Sequence, residues 1–178
     1  MEIVKKYNGF SFLELIITIA IMGIMGGVGF ASLQSSKSTT RLVTAQREVA
    51  TTIRLAQSYA LQGRMQGGQT PCGYGFRFTD TSKYEIFYKL PNSGKDCSDT
   101  NFTSFNQMEN LQLGNNVVLS SPAVSADTEI YFAIPFGNVL GKDGLTLVGD
   151  QLIVLQYPAG TGATKSVTIS STGNIVEN

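Results

Sequence analysis

Few residues in this chain could do chemistry, and the most conspicuous is an acid in the wrong place. Glu14 is the only charged side chain in the run GFSFLELIITIAIMGIMGGVGFASL, Gly9 to Leu33. A carboxylate in hydrocarbon costs about 2–3 kcal/mol near the centre of a membrane helix, so it calls for a partner. Elsewhere the inventory is thin. There is no His and no Trp, which removes the commonest general base and metal ligand. Serines and threonines are plentiful, but no G-x-S-x-G frames a nucleophile. The glycine clusters lack a P-loop lysine and a dinucleotide spacing, and read as turns. Asp143 and Asp150 sit in Gly-bearing loops without the EF-hand spacing of a calcium site. No catalytic residue, metal site, cofactor or small-molecule substrate is therefore expected, and the chain is not read as an enzyme.

Cys72 and Cys97 flank a Gly/Ser-rich stretch. With the domain outside the cytoplasm, a disulfide between them is expected, restricting the unfolded chain by roughly 3 kcal/mol. Two cysteines alone do not complete a zinc site. The 13 basic and 13 acidic side chains balance, but unevenly along the chain. Residues 37–97 hold nine Lys/Arg against four Asp/Glu, and residues 98–178 hold two against seven. That asymmetry favours neutralising contacts within the chain or between copies over a basic groove for nucleic acid.

The elements that position these residues follow from periodicity. Leu15 to Ser36 carries no charge and as a helix spans about 30 Å, the thickness of a bilayer core. On the residues alone, three readings of this span are open. It could be a secretory signal peptide, with Lys5 and Lys6 before it and a small-x-Ala site at Gly29-Phe30-Ala31. It could be a plain single-span anchor with a Gly23/Gly27 packing face. Or it could be a segment cut after Gly9, which alone gives Phe10 and Glu14 a role. Counting Lys/Arg at the two ends (Lys5 and Lys6 against Lys37, Arg41 and Arg47) leaves orientation ambiguous or reversed.

Beyond the span, residues 37–62 are amphipathic at helical period. Leu42, Val49, Ile53, Ala56 and Ala60 form one stripe, with Arg47 and Arg54 on a solvated opposite face, and Gly63, Gly67 and Gly68 end the pattern. The remainder reads as short alternating strands: GYGFRF, KYEIFYKL, TEIYFAI, QLIVLQY and KSVTIS, the last two in a hairpin closed by PAGTGAT. Residues 91–107 read as a polar loop. No helices separate the strands, so the sheet is expected to be antiparallel. The fold class is α+β, a long N-terminal helix packed on a C-terminal sheet domain.

The opening residues resemble the type IV prepilin signature. KKYNG followed by FSFLELIITIAIMGIMG has a short basic leader ending in Gly, then Phe, then Glu in the fifth position after it. The resemblance implies cleavage between Gly9 and Phe10 by a prepilin peptidase, N-methylation of Phe10, and a filament-assembly role for Glu14. The chain departs from many relatives in lacking a helix-kinking Pro; Gly26, Gly27 and Gly29 loosen the helix there instead. The implied organisation is a leader over residues 1–9, a transmembrane and assembly helix over 10–36, an amphipathic continuation over 37–62 and a β-rich, pilin-like domain over 63–178. VATTIRLAQSYALQGRMQGG, IYFAIPFGNVLG and VTISSTGNI further resemble minor pseudopilins of the GspH/FimT class, through Phe132, Phe136, Gly137, Gly173 and Ile175.

The function this implies is a structural minor pilin or pseudopilin of a type II secretion or type IV pilus filament. Its partners would be other pilin subunits, the peptidase and a bacterial inner membrane crossed once, with the domain outside the cytoplasm. The alternatives are a FimT-like DNA binder using the strip from Arg64 to Lys95, which the acidic balance after Ser98 disfavours, and a non-polymerising anchored protein.

Overall fold

A computed structural model describes residues 11–91, 97, 105–114, 116–122, 129–135, 137–141, 145–157 and 162–178; within these, the side chains of residues 29–35 are not described. The chain divides into two compact units, residues 1–38 and 39–178.

Helix α1 runs without a break from Phe12 to Leu61. Ser11 precedes it, and its carbonyl accepts the first helical bond from the Leu15 amide. The helix ends where Gly63 takes a left-handed φ of 59°, a conformation that costs glycine nothing.

Among the described residues of the second unit, nine strands form two antiparallel sheets. Strands β1 (Gly73–Phe78), β2 (Lys83–Lys89), β3 (Asn106–Gln112), β5 (Ile130–Ala133) and β6 (Val139–Leu140) form the first, in the order β3-β2-β1-β5-β6. The second has the order β4-β7-β8-β9, built from β4 (Val118–Ser121), β7 (Gln151–Gln156), β8 (Thr164–Ile169) and β9 (Ile175–Glu177). One core joins them. The stripe Leu42, Val49, Ile53, Ala56 and Ala60 of α1 is buried with Tyr74, Phe76, Ile86 and Phe132 of the first sheet and Ile153, Leu155, Val167 and Ile169 of the second. Ala50, Ala56 and Ala60 are buried in this core, and Phe76, Phe78 and Tyr84 form a ring cluster within it.

Strands β4 and β6 and the division into two sheets lie outside the sequence reading, and the structure departs from that reading at three further places. The loop expected over residues 91–107 yields to β3 from Asn106. Strand β3 is polar and mostly exposed, so it gives no apolar alternation; backbone pairing to β2 defines it. Second, β2 is dry on both faces. Tyr84 and Ile86 face the core, and Glu85, Phe87 and Lys89 on the other face are buried as well. Third, Arg54 is not simply solvated: it bonds to Glu177 of β9.

The outward face of the first sheet explains its burial. Phe87, Gly75 and Tyr131 lie side by side in register across β2, β1 and β5. The Phe87 ring lies over Gly75 and the Tyr131 ring over Gly73, and the two rings stack with centroids 6.3 Å apart. A Cβ on Gly75 would fall inside the Phe87 ring, so only glycine fits. Beside this pair, Arg77 bonds Glu85 at 2.6 Å and lies 5.2 Å from the centroids of both Phe87 and Phe105. Cys72 and Cys97 are joined by a disulfide with a Cα separation of 5.3 Å.

Two predictions follow from this packing. The disulfide closes a separation of 25 residues, so replacing both cysteines by serine should lower unfolding free energy by about 3 kcal/mol in urea titration. Burial raises the phenol pKa of Tyr84, Tyr131 and Tyr74, and Glu48 and Glu109 push Tyr84 further in the same direction. Because the folded values lie above the unfolded ones, the stability these groups contribute is complete below about pH 10 and is lost as pH rises through the folded values. The urea midpoint should therefore hold up to about pH 10 and fall steadily above it.

Candidate assembly site

The first unit presents a helix with apolar side chains on every side. From Phe12 to Val28, Leu13, Leu15, Ile16, Ile17, Ile19, Ile21, Met22, Ile24 and Met25 are all exposed; Phe12 is 79% accessible and Val28 69%. A helix apolar all round is of the kind that is buried in an apolar environment. Gly23, Gly26 and Gly27 have nothing within 4 Å of where a Cβ would stand, leaving shallow places where another helix backbone could approach.

Glu14 lies in the first turn of α1 and is exposed. Ser11 and Glu14 have the S-x-x-E spacing of a capping box, and the helix N-terminus favours a negative charge there. Thr18, one turn on, donates to the Leu15 carbonyl at 2.9 Å and so brings no unsatisfied hydroxyl into the run. Gly9 and Phe10, the expected cleavage and methylation residues, lie outside the described residues. Among the described residues no helix is long and apolar enough to cross a membrane. The expected span, residues 10–36, includes residues 29–35, whose side chains are not described.

In the second unit, polar side chains of α1 clasp the end of the chain. Gln46 is 4% accessible, and its amide nitrogen donates to the carbonyls of Ser166 at 2.7 Å and Asn178 at 2.8 Å. Gln57 donates to the carbonyl of Gly173 at 3.0 Å. Arg54 reaches Glu177 at 2.8 Å and the Ile175 carbonyl at 3.2 Å. Arg41 donates to the Tyr157 hydroxyl at 3.0 Å. The basic first half of the domain is thus partly neutralised by its acidic second half. Gln46 could have been found from sequence, as a polar residue four positions after Leu42 and three before Val49, inside the apolar stripe.

Among the described residues, no group of three or more His, Cys, Asp or Glu could hold a metal ion. Asp150 is exposed, and Asp143 lies outside the described residues.

Residues 4–30 match the model of the prokaryotic N-terminal methylation motif, and the N-terminal segment is type IV prepilin-like. Two crystal forms of the type IV minor pilin FimU from Pseudomonas aeruginosa are similar in structure. One is 11% identical over 79% of this chain and 90% of that chain, with a TM-score of 0.49. The other is 14% identical over 77% and 92%, with a TM-score of 0.47. Both scores lie below 0.5, the level from which a shared fold would follow. No curated protein matches the chain.

The clasp should divide unequally between its members. Gln46→Ala removes two hydrogen bonds from a side chain that is 4% accessible, to carbonyls that each keep a backbone donor, and should cost about 1–3 kcal/mol. Arg54→Ala breaks a pair whose side chains are 47% and 29% accessible and should cost under about 1 kcal/mol. Chemical denaturation of the two variants against the parent checks the order.

Proposed function

We propose that the chain is a structural minor subunit of a type IV pilus or type II secretion filament, of the GspH/FimT kind. It is made as a precursor held in a bacterial inner membrane by its apolar helix, with the sheet domain outside the cytoplasm. A prepilin peptidase cuts between Gly9 and Phe10, and Phe10 is N-methylated. The observation that carries this reading is the methylation-motif match over residues 4–30, which holds Glu14 in register with an exposed helix apolar on every side.

The physics of assembly follows from the cut. Cleavage leaves an ammonium on Phe10, four residues before Glu14. In hydrocarbon each group alone is costly, but opposite charges that meet with good geometry offset one another's desolvation. Within a helix the Glu14 carboxylate also benefits from the N-terminal dipole. Between helices, Glu14 of an entering subunit pairs with the Phe10 amine of its neighbour and fixes their axial offset. Apolar packing, with close approach at Gly23 and Gly27, then holds the polymer. The Cys72–Cys97 disulfide supports an oxidising location for the domain.

The mass of the mature N-terminal peptide tests the processing step. A methylated Phe10 is expected, and a chain beginning at Ser32 would instead mean signal-peptidase cleavage and loss of Glu14. Glu14→Ala should abolish incorporation into sheared filaments while leaving membrane insertion intact. Unchanged incorporation would mean a non-polymerising anchor.

A further inference from the structure

Two features of the sheet domain lie outside the clasp, and they are chemically complementary. The first is an open groove of about 640 Å³ between α1 and the free edge of the first sheet at β3. Leu55, Tyr84 and Leu111 give it apolar walls, and Glu48 of the helix and Glu109 of β3 both line it. Both carboxylates are exposed, and neither forms an ion pair among the described residues. Both also push the Tyr84 phenol upward, which puts them near the same ring. Arg47 lies on the same groove, so its net charge is one negative.

The second feature is the turn after α1. Gly63, Gly67 and Gly68 take φ values of 59°, 58° and 79°, and nothing stands within 4 Å of a Cβ placed on any of them. The turn is held to the first sheet by the Tyr74 hydroxyl, which donates to the Arg64 carbonyl at 2.6 Å, and by Gln66, which donates to the Met108 sulfur of β3, while its glycine tips face open space. It carries an exposed Arg64, lying 4.3 Å from the Tyr59 ring, flanked by Leu61 and Met65, which are 57% and 59% accessible. A cation between two exposed apolar side chains is what a groove with apolar walls and two unpaired acids would take.

The two do not pair within the chain: among the described residues Arg64 forms no ion pair with Glu48 or Glu109. Leu61 lies 13 residues beyond Glu48 on the same helix, about 20 Å along its axis at 1.5 Å per residue. We infer that the Arg64–Met65 turn of one copy docks in the Glu48/Glu109 groove of a second copy, displaced by about 20 Å along α1. Such a contact is heterologous: each copy offers a knob at one end and a groove at the other. It therefore propagates into an open polymer and does not close as a dimer. The inference rests on the filament reading for the setting in which copies lie parallel, but it concerns contacts of the domain alone.

The test is a charge swap in the full-length protein, read as the amount recovered in sheared filaments, with Glu14→Ala run in parallel. Glu109→Arg and Arg64→Glu should each lower incorporation about tenfold, and the double variant should restore it to within about twofold of the parent. A photo-crosslinking residue at Met65 should capture residues 44–55 or 107–112 of another copy. Normal incorporation of either single variant, failure of the double variant to rescue, or a Met65 crosslink to another protein or region would overturn the docking. Circular dichroism and an intact Cys72–Cys97 bond establish that each variant is folded before it is scored. If Glu14→Ala blocks incorporation while the swaps have no effect, the subunit reading stands and the docking falls. If Glu14→Ala incorporates normally, the subunit reading itself fails.

Discussion

The domain depends on one amphipathic helix being shared by two sheets. Neither sheet covers the other; each buries its inner face against the same stripe of α1, so Leu42, Val49 and Ile53 contribute to a single core drawn from both. The composition of the stripe sets the geometry. Its later half is largely alanine, and the aromatic residues of β1 and β2 supply bulk that alanine lacks. Without the helix, each sheet would present a wet apolar face, and the short β4, β6 and β9 would have little else to hold them.

Around that core, polar groups do the work of closure. The last strand is only three residues long and pairs with β8 alone. Gln46, Arg54 and Gln57 add bonds from the helix to its backbone and to the turn before it. The opposite side of the first sheet has a separate solution. Paired glycine and aromatic positions let rings lie flat across β1, and Arg77 lies against both the Phe87 and Phe105 rings, which touch each other. The buried Glu85 carboxylate is tolerated because the half-buried guanidinium bonds it.

Much of this was legible in the sequence. The α+β class, the helical stripe and most strands came from apolar periodicity, because for those elements burial on one face is what selects the conformation. Strand β3 was not legible, since an edge strand with Asn, Gln and Glu on both faces is specified by its neighbour's hydrogen bonds and carries no pattern of its own. The second buried face of β2 was hidden for a related reason: Glu85 and Lys89 read as solvent-facing, and only the register with Gly75 and Tyr131 accounts for Phe87 between them. The N-terminal segment was legible through the spacing of four residue types, and the methylation-motif match rests on the same residues.

Gln46 has a consequence beyond its two hydrogen bonds. One amide nitrogen serves carbonyls from two neighbouring strands at once, so it is satisfied only when β8 and β9 hold a single alignment. Sliding the terminal strand by one residue would turn its inward side chains outward and also pull the Asn178 carbonyl away from the amide. The helix thus acts as a ruler for the last strand, and a three-residue segment with little to specify its own position is indexed by a side chain over a hundred residues earlier in the chain.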